Sequence, residues 1–74
     1  MLLCDLNLGE SAYVTRINSK SDMCIRLYDL GLVEGTLVKL ILVSNGIKAY
    51  LIRGSLIAIR DKDAKEIVVG EIYD

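Results

Sequence analysis

Residues 26–35 constrain the fold of this 74-residue chain more than any other segment, because they contain a helix end, a stop signal and the entry to a strand. Leu27 and Leu30 lie three positions apart, so they share one face of a helix. Gly31 stands where a left-handed residue commonly ends a helix, and Gly35 opens a turn before the next apolar run. The segment therefore predicts a helix that ends at residue 30, followed by a strand that begins at residue 36.

The predicted helix covers residues 22–30. Ser21 precedes it and can cap its first turn, where the negative charge of Asp22 is favourable. Met23, Leu27 and Leu30 form an apolar stripe along one face. We expect this stripe to pack on the rest of the domain.

The remainder of the chain divides into short extended segments separated by turns. Asn45 and Gly46 lie between two apolar runs and both tolerate positive φ, which predicts a β-hairpin. A second turn is expected at Arg53 and Gly54, and a bulge near Thr15 would bring the first strand into phase. The predicted strands are residues 10–17, 36–43, 47–52, 56–60 and 67–72, with a one-turn connector over 61–66.

The composition favours a single small β domain over residues 1–74. Apolar residues make up 53% of the chain, and neither Phe nor Trp is present, so the core is expected to consist of Leu, Ile and Val. Five short strands leave exposed edges unless the sheet curls closed. The predicted fold is therefore mainly β: a small five-stranded SH3-like barrel with one short α-helix and a one-turn connector.

Charge and hydropathy exclude two classes of function. The longest uninterrupted apolar run, residues 40–43, is far shorter than the roughly 20 residues that span a membrane. The first residues have no basic region and no long apolar region, so we expect no secretory signal and a cytoplasmic location. A formal charge of −1 means that the chain has no excess of positive charge to bind a phosphate backbone, so no nucleic acid is expected as a partner.

An ordered set of residues across nearly the whole chain resembles the FeoA family of ferrous iron transport accessory proteins. The central part of the resemblance is Arg26-Leu27, Leu30-Gly31-Leu32 and Gly35-Thr36, with Leu3, Leu6, Gly9, Val14 and Ile17 before it and Gly54, Ile57-Ala58-Ile59-Arg60, Ala64, Ile67 and Val69 after it. Leu8 departs from the proline that many members carry, which changes only the stiffness of a loop.

The resemblance implies an SH3-like fold and a non-enzymatic accessory or regulatory role in ferrous iron uptake. The implied partner is FeoB, a membrane ferrous iron transporter with a cytoplasmic GTPase domain, so the membrane would be reached only through that partner. A second reading rests on the same fold in the C-terminal domain of DtxR-like metal-dependent repressors, and a third is a small RNA or ribosome binder. Association of the chain into a homo-oligomer is a further possibility that the sequence leaves open.

Neither catalysis nor a cofactor is indicated by the residues. The chain has no His, so its serines lack an evident activating base, and its glycines form no phosphate-binding motif. No metal site is expected: Cys4 and Cys24 are most simply buried free thiols, although they could meet in space. The acidic residues Asp61, Asp63 and Glu66 are interpreted as part of a solvated turn.

Two groups of residues are candidates for partner binding. In the strand 36–43, Val38, Leu40 and Leu42 alternate with Leu37, Ile41 and Val43, so one set is expected to fill the core and the other to need a partner or a cover. The second candidate group is Arg26, Tyr28 and Asp29, because SH3-like peptide grooves combine an aromatic residue with flanking charges. The tyrosines are otherwise expected to half-bury their rings.

Overall fold

Five antiparallel strands form one sheet in the order β4-β3-β2-β1-β5 in the computed structural model, which describes residues 1–18 and 22–73. The strands are β1 (Ser11–Ile17), β2 (Leu37–Ser44), β3 (Ile47–Ile52), β4 (Ser55–Arg60) and β5 (Ile67–Tyr73). Two helices, α1 (Asp22–Asp29) and α2 (Asp61–Ala64), and a 3-10 turn (Leu3–Asp5) complete the element order. The mainly β, five-stranded prediction is confirmed.

The predicted closure into a barrel is not confirmed. Among the described residues, β4 pairs only with β3, and β5 pairs with β1 and with the isolated bridge residue Leu2. Backbone hydrogen bonding from Val69 N to Met1 O, at 2.8 Å, also covers the outer edge of β5. Met1 and Leu2 thus cover part of the β5 edge, which the predicted barrel would have covered by closing the sheet.

The helix end at Gly31 is a Schellman motif. Gly31 has φ of 103°, its N–H donates to Tyr28 O at 3.0 Å, and Leu32 N–H donates to Leu27 O at 2.9 Å. Leu27 and Leu32 are both fully buried, which is the apolar contact that accompanies this motif. The predicted positive φ of Gly31 is confirmed.

The predicted stripe of α1 is wrong at Leu30, which is 54% exposed. The left-handed residue Gly31 turns the chain back on itself, so Leu32 packs in the core beside Leu27 in place of Leu30. The predicted cap Ser21 lies outside the described residues, as do the side chains of Met23 and Cys24.

Both predicted turns join neighbouring strands through two residues with positive φ. Asn45 and Gly46 have φ of 47° and 78° between β2 and β3, and Arg53 and Gly54 have φ of 49° and 81° between β3 and β4. Positive φ at both central residues is characteristic of the type I′ turn, whose twist matches that of the flanking strands.

Two irregular registers bend the sheet. The pairing of β1 with β5 shifts between Ala12 and Val14 and again between Val14 and Arg16, which confirms the predicted bulge. The pairing of β2 with β3 contains a further shift, which was not predicted, between Leu40 and Leu42. It leaves Ile41 as an extra residue opposite β3.

The core lies on one side of the sheet and, among the described residues, contains aliphatic side chains with a single aromatic ring. Its members are Leu3, Leu6, Ala12, Val14, Leu27, Leu32, Val38, Leu40, Tyr50, Ile52, Ile59, Ala64, Ile67 and Val69. Tyr50 contradicts the expectation of a half-buried ring, because it is fully buried and its hydroxyl donates to Leu3 O at 3.4 Å.

Candidate docking surface

The side of the sheet opposite the core carries a continuous set of exposed aliphatic residues. We call it the outer face and define it by Leu37, Leu42, Ile47, Leu51 and Leu56, each between 38% and 57% exposed. Strand register places them on the same side of the sheet. Leu51 lies opposite Lys39 and Leu56, and Leu37 lies two residues before Lys39 and opposite Tyr13. Leu42 lies opposite Ala49, which shares its side of β3 with Ile47 and Leu51. Directly opposed residues project on the same side of a sheet, so these side chains form one surface.

The bulge in β2 decides which residues belong to this surface. Leu40 is opposite the buried Tyr50, whereas Leu42 is opposite Ala49, which lies outside the core cluster. Because one strand advances by two residues while the other advances by one, Leu42 moves to the outer face, and Val43, opposite Lys48, moves off it.

The predicted division of β2 into two alternating sets is therefore wrong beyond Leu40. Leu37 does lie on the outer face, and Ile41 is the extra residue of the bulge, 41% exposed. Val43 is also exposed, but it shares the side of the sheet on which the Lys48 side chain reaches Cys4 O. Strict alternation fails here because a single inserted residue reverses the phase of everything after it.

A groove occupies one end of the outer face. Its cavity measures about 480 Å³, and its lining consists of Ser11, Tyr13, Gly35, Thr36, Leu37, Lys39, Leu51, Arg53 and Gly54. Leu37 is the one predicted partner-binding residue in this lining. The floor is apolar, and the charged groups belong to Lys39 and Arg53.

Arg53 connects the groove to the end of α1. Its Nε donates to Gly31 O at 3.0 Å, and Thr36 Oγ1 donates to the same oxygen at 3.0 Å. Thr36 Oγ1 also accepts from Val33 N at 3.2 Å. A Cβ on Gly31 would lie 2.6 Å from Arg53 Cδ, so a larger residue would force the arginine side chain to shift, and it would be strained at this positive φ. The helix end at Gly31 thus positions Arg53, which forms one wall of the groove.

Charge is segregated along the chain in a way that the whole-chain total conceals. All ten Asp and Glu residues lie outside residues 36–60, which form β2, β3 and β4 with their turns. Of the four basic residues inside that stretch, Lys48 turns inward, with its Nζ 2.8 Å from Cys4 O and 3.5 Å from Asp61 Oδ1. Lys39, Arg53 and Arg60 remain, so the charged residues that this stretch contributes to the outer face and its groove are all basic, on a chain of net charge −1. Counting charges by segment would have found this signal.

The second predicted group, Arg26, Tyr28 and Asp29, lies on α1 and is exposed. None of the three lines the groove. Ile25 is equally exposed on the same helix and was not predicted. The two candidate groups therefore do not share the groove. Among the described residues, the end of α1 is linked to the groove lining by the hydrogen bonds of Arg53 and Thr36 to Gly31 O.

A family model for the FeoA domain matches residues 1–71. The chain belongs to the FeoA family. The solution NMR structure of the FeoA protein from Chlorobium tepidum is 31% identical, with a TM-score of 0.87 over 93% of this chain and 68% of that one. The crystal structure of Stenotrophomonas maltophilia FeoA complexed with zinc is 28% identical, with a TM-score of 0.84 over 95% of this chain and 89% of that one.

These relatives support an SH3-like fold and a link to ferrous iron transport. The S. maltophilia FeoA is described as an SH3 domain protein and a suggested ferrous iron transport activating factor. A manganese-dependent transcriptional repressor, 17% identical with a TM-score of 0.79 over 93% of this chain and 40% of that one, shares the fold alone. No curated protein sequence matches significantly. Among the described residues, no helix of this FeoA domain is long and apolar enough to cross a membrane.

Ionisable side chains on the core side of the sheet make structural contacts. Burial raises the pKa of the Cys4 thiol, and the negative charge of Asp5 raises it further. A raised pKa reduces the fraction of thiolate, the form of cysteine that acts as a nucleophile. Asp61 Oδ1 pairs with Lys48 in a geometry that leaves this oxygen without a hydrogen bond. Among the side chains that the structure describes, which do not include those of Cys24 and Glu71, no group of three or more Cys, Asp or Glu residues is placed to hold a metal ion.

Proposed function

We propose that this FeoA domain is a non-enzymatic, cytoplasmic accessory protein of ferrous iron uptake that docks through its outer face onto a FeoB-type membrane transporter. The observation that carries the proposal is the contiguous exposed surface of Leu37, Leu42, Ile47, Leu51 and Leu56. Small monomeric proteins rarely leave such a surface uncovered unless it binds something. The membrane is reached only through the partner.

A protein partner would cover the outer face and the residues around it. A standard interface covers about 800 Å² on each partner, which is roughly a sixth of the 4614 Å² surface of the chain. The aliphatic residues would form the dry part of the interface, Arg53 and Arg60 would lie nearer its rim, and Lys39 would lie beside Leu51.

Membership in the FeoA family directs the proposal to iron transport. The S. maltophilia relative is named as a suggested activating factor of ferrous iron transport, a role that docking onto a transport protein would serve. The repressor alternative rests on a likeness of fold at 17% identity, and no separate observation favours it.

Co-purification with the FeoB-type transporter of the same cell tests this function. Leu42→Glu should abolish capture of the transporter, because it places a charge in the dry centre of the outer face. Leu8→Glu is the matched control, since Leu8 is similarly exposed, at 64% against 54%, but lies in the loop before β1.

Both variants should keep the wild-type melting temperature within a few degrees, so that a loss of capture reports on binding. Equal capture by wild type, Leu42→Glu and Leu8→Glu would rule out docking through the outer face. Failure of the folded wild type to capture the transporter in any nucleotide state would rule out the proposed partner.

A further inference from the structure

We infer that the groove at the end of the outer face binds a protein segment in which an aliphatic side chain is flanked by carboxylates. This inference rests on the proposed docking function, because it states the chemistry by which the partner would be selected. It is argued from the shape of the groove, its apolar floor and the sign of the charges around it.

The floor of the groove suits an aliphatic side chain. Tyr13 and Leu37 are direct cross-strand partners, and Leu51 lies in the neighbouring row, opposite Lys39. The volume of about 480 Å³ falls in the range of about 300–1,000 Å³ that is usual for ligand pockets. Burial of one or two side chains there would remove apolar surface from water on both partners.

The charges of the groove favour carboxylates beside that side chain. Lys39 lies between Ser11 and Leu51 in the strand register, and Arg53 closes the end of the groove. No acidic side chain is among the lining residues that the structure describes. Arg53 is held in place by its hydrogen bond to Gly31 O, so its charge is positioned before any partner arrives. Complementary charge of this kind selects partners and speeds their association.

A protein segment fits these observations better than the other anionic partners do. A nucleic acid would need more than the three cations of the outer face and stacking aromatic rings, whereas Tyr13 is the only ring among the lining residues that the structure describes. A flat anionic membrane would not enter a concave site. Aliphatic floor, two cations and concave shape together describe a peptide groove.

Panning a random heptapeptide display library against the folded protein tests the inference. We expect selected sequences to carry Leu, Ile or Val within two positions of Asp or Glu. Selection of basic or uncharged sequences, or of no common sequence, would overturn it. An acidic sequence recovered equally on Lys39→Glu would place the binding elsewhere and would also overturn it.

A selected peptide then allows quantitative comparison. Lys39→Glu should weaken its binding at least about fivefold at about 0.1 M salt, and by much less at about 1 M, where the screening length falls from about 10 Å to about 3 Å. Lys62→Glu makes the same charge change on α2, outside the groove lining, and should bind as wild type does. An equal loss in both variants would reduce the effect to net charge and refute a specific groove.

Two further outcomes separate this inference from the proposed function. Capture of the transporter by Lys39→Glu as strong as by wild type would overturn the groove chemistry while leaving outer-face docking intact. Selection of acidic aliphatic peptides without capture of the transporter would support the groove and reject the transporter as partner. A wild-type dimer in sedimentation that dissociates in Lys39→Glu would mean that a second copy fills the groove, which overturns a separate partner.

Discussion

Replacing Gly31 by alanine perturbs the helix end and the groove at once. Gly31 has φ of 103°, a region that a residue with a Cβ enters at a cost of roughly 1–2 kcal/mol. The new Cβ would also lie 2.6 Å from Arg53 Cδ, so the arginine side chain must move and its hydrogen bond to Gly31 O is lost. That bond is exposed and contributes about 0.5–1.5 kcal/mol. The expected loss of unfolding free energy is about 2 to 3 kcal/mol.

Gly35→Ala separates the two parts of this cost. Gly35 has φ of 90°, and nothing lies within 4 Å of its added Cβ, so only the backbone term of about 1–2 kcal/mol applies. Thermal and urea unfolding followed by circular dichroism measures both variants. For a chain of this length, Gly31→Ala should lower the melting temperature by roughly 10–20 °C, and by more than Gly35→Ala does.

A double-mutant cycle tests the contact itself. In the Gly31→Ala background, Arg53→Ala should cost less unfolding free energy than it does in the wild type. The hydrogen bond of Arg53 to Gly31 O is already lost in that background, and removal of the arginine side chain relieves the clash. Equal melting temperatures for Gly31→Ala and Gly35→Ala, with additive effects in the cycle, would refute a tight contact between Gly31 and Arg53.

Three other outcomes follow from burial and titration. Ile41→Glu should change the free energy of unfolding by less than about 1 kcal/mol, because Ile41 is the exposed residue of a bulge; a loss of several kcal/mol in a urea titration would assign it to the core. Leu27→Ala should cost about 2–5 kcal/mol and Leu30→Ala less than about 0.5 kcal/mol, and equal costs would restore the predicted stripe. Burial raises the pKa of Tyr50 above its ordinary value of 10.0, so the unfolded chain releases this proton first and stability falls as pH rises above about 10. Tyr50→Phe should abolish that part of the fall, and unchanged pH dependence in the variant would contradict the assignment.

Features that depend on a few neighbouring residues could be predicted from the sequence. The positive φ of Gly31 and the hairpin turn at Asn45 and Gly46 follow from which residue types tolerate a left-handed backbone, and both are present. The strand and helix positions follow from the same local signals and from apolar periodicity. The family was recognisable for a related reason, since glycines and leucines at fixed spacings mark the ends of elements.

The residues of the outer face could be predicted only in part. Leu37 was identified because it precedes the bulge, where alternation still holds, whereas Leu42 was assigned to the wrong side and Leu51 and Leu56 were not proposed. The absence of acidic residues from 36–60 was readable in the sequence, but a single net charge for the chain conceals it. Which of the basic residues face outward was not readable, because Lys48 turns inward to Cys4 O.

The sequence by itself determined the element types, the turns, the aliphatic composition of the core and the membership in the FeoA family. Only the tertiary structure decided the outer face, because its residues are adjacent through strand register, and one extra residue in β2 reverses the phase of alternation. The same holds for the groove, whose Arg53 wall depends on a hydrogen bond to a residue 22 positions earlier in the chain. Local backbone preferences act between neighbours in sequence, while register and packing depend on which distant segments meet.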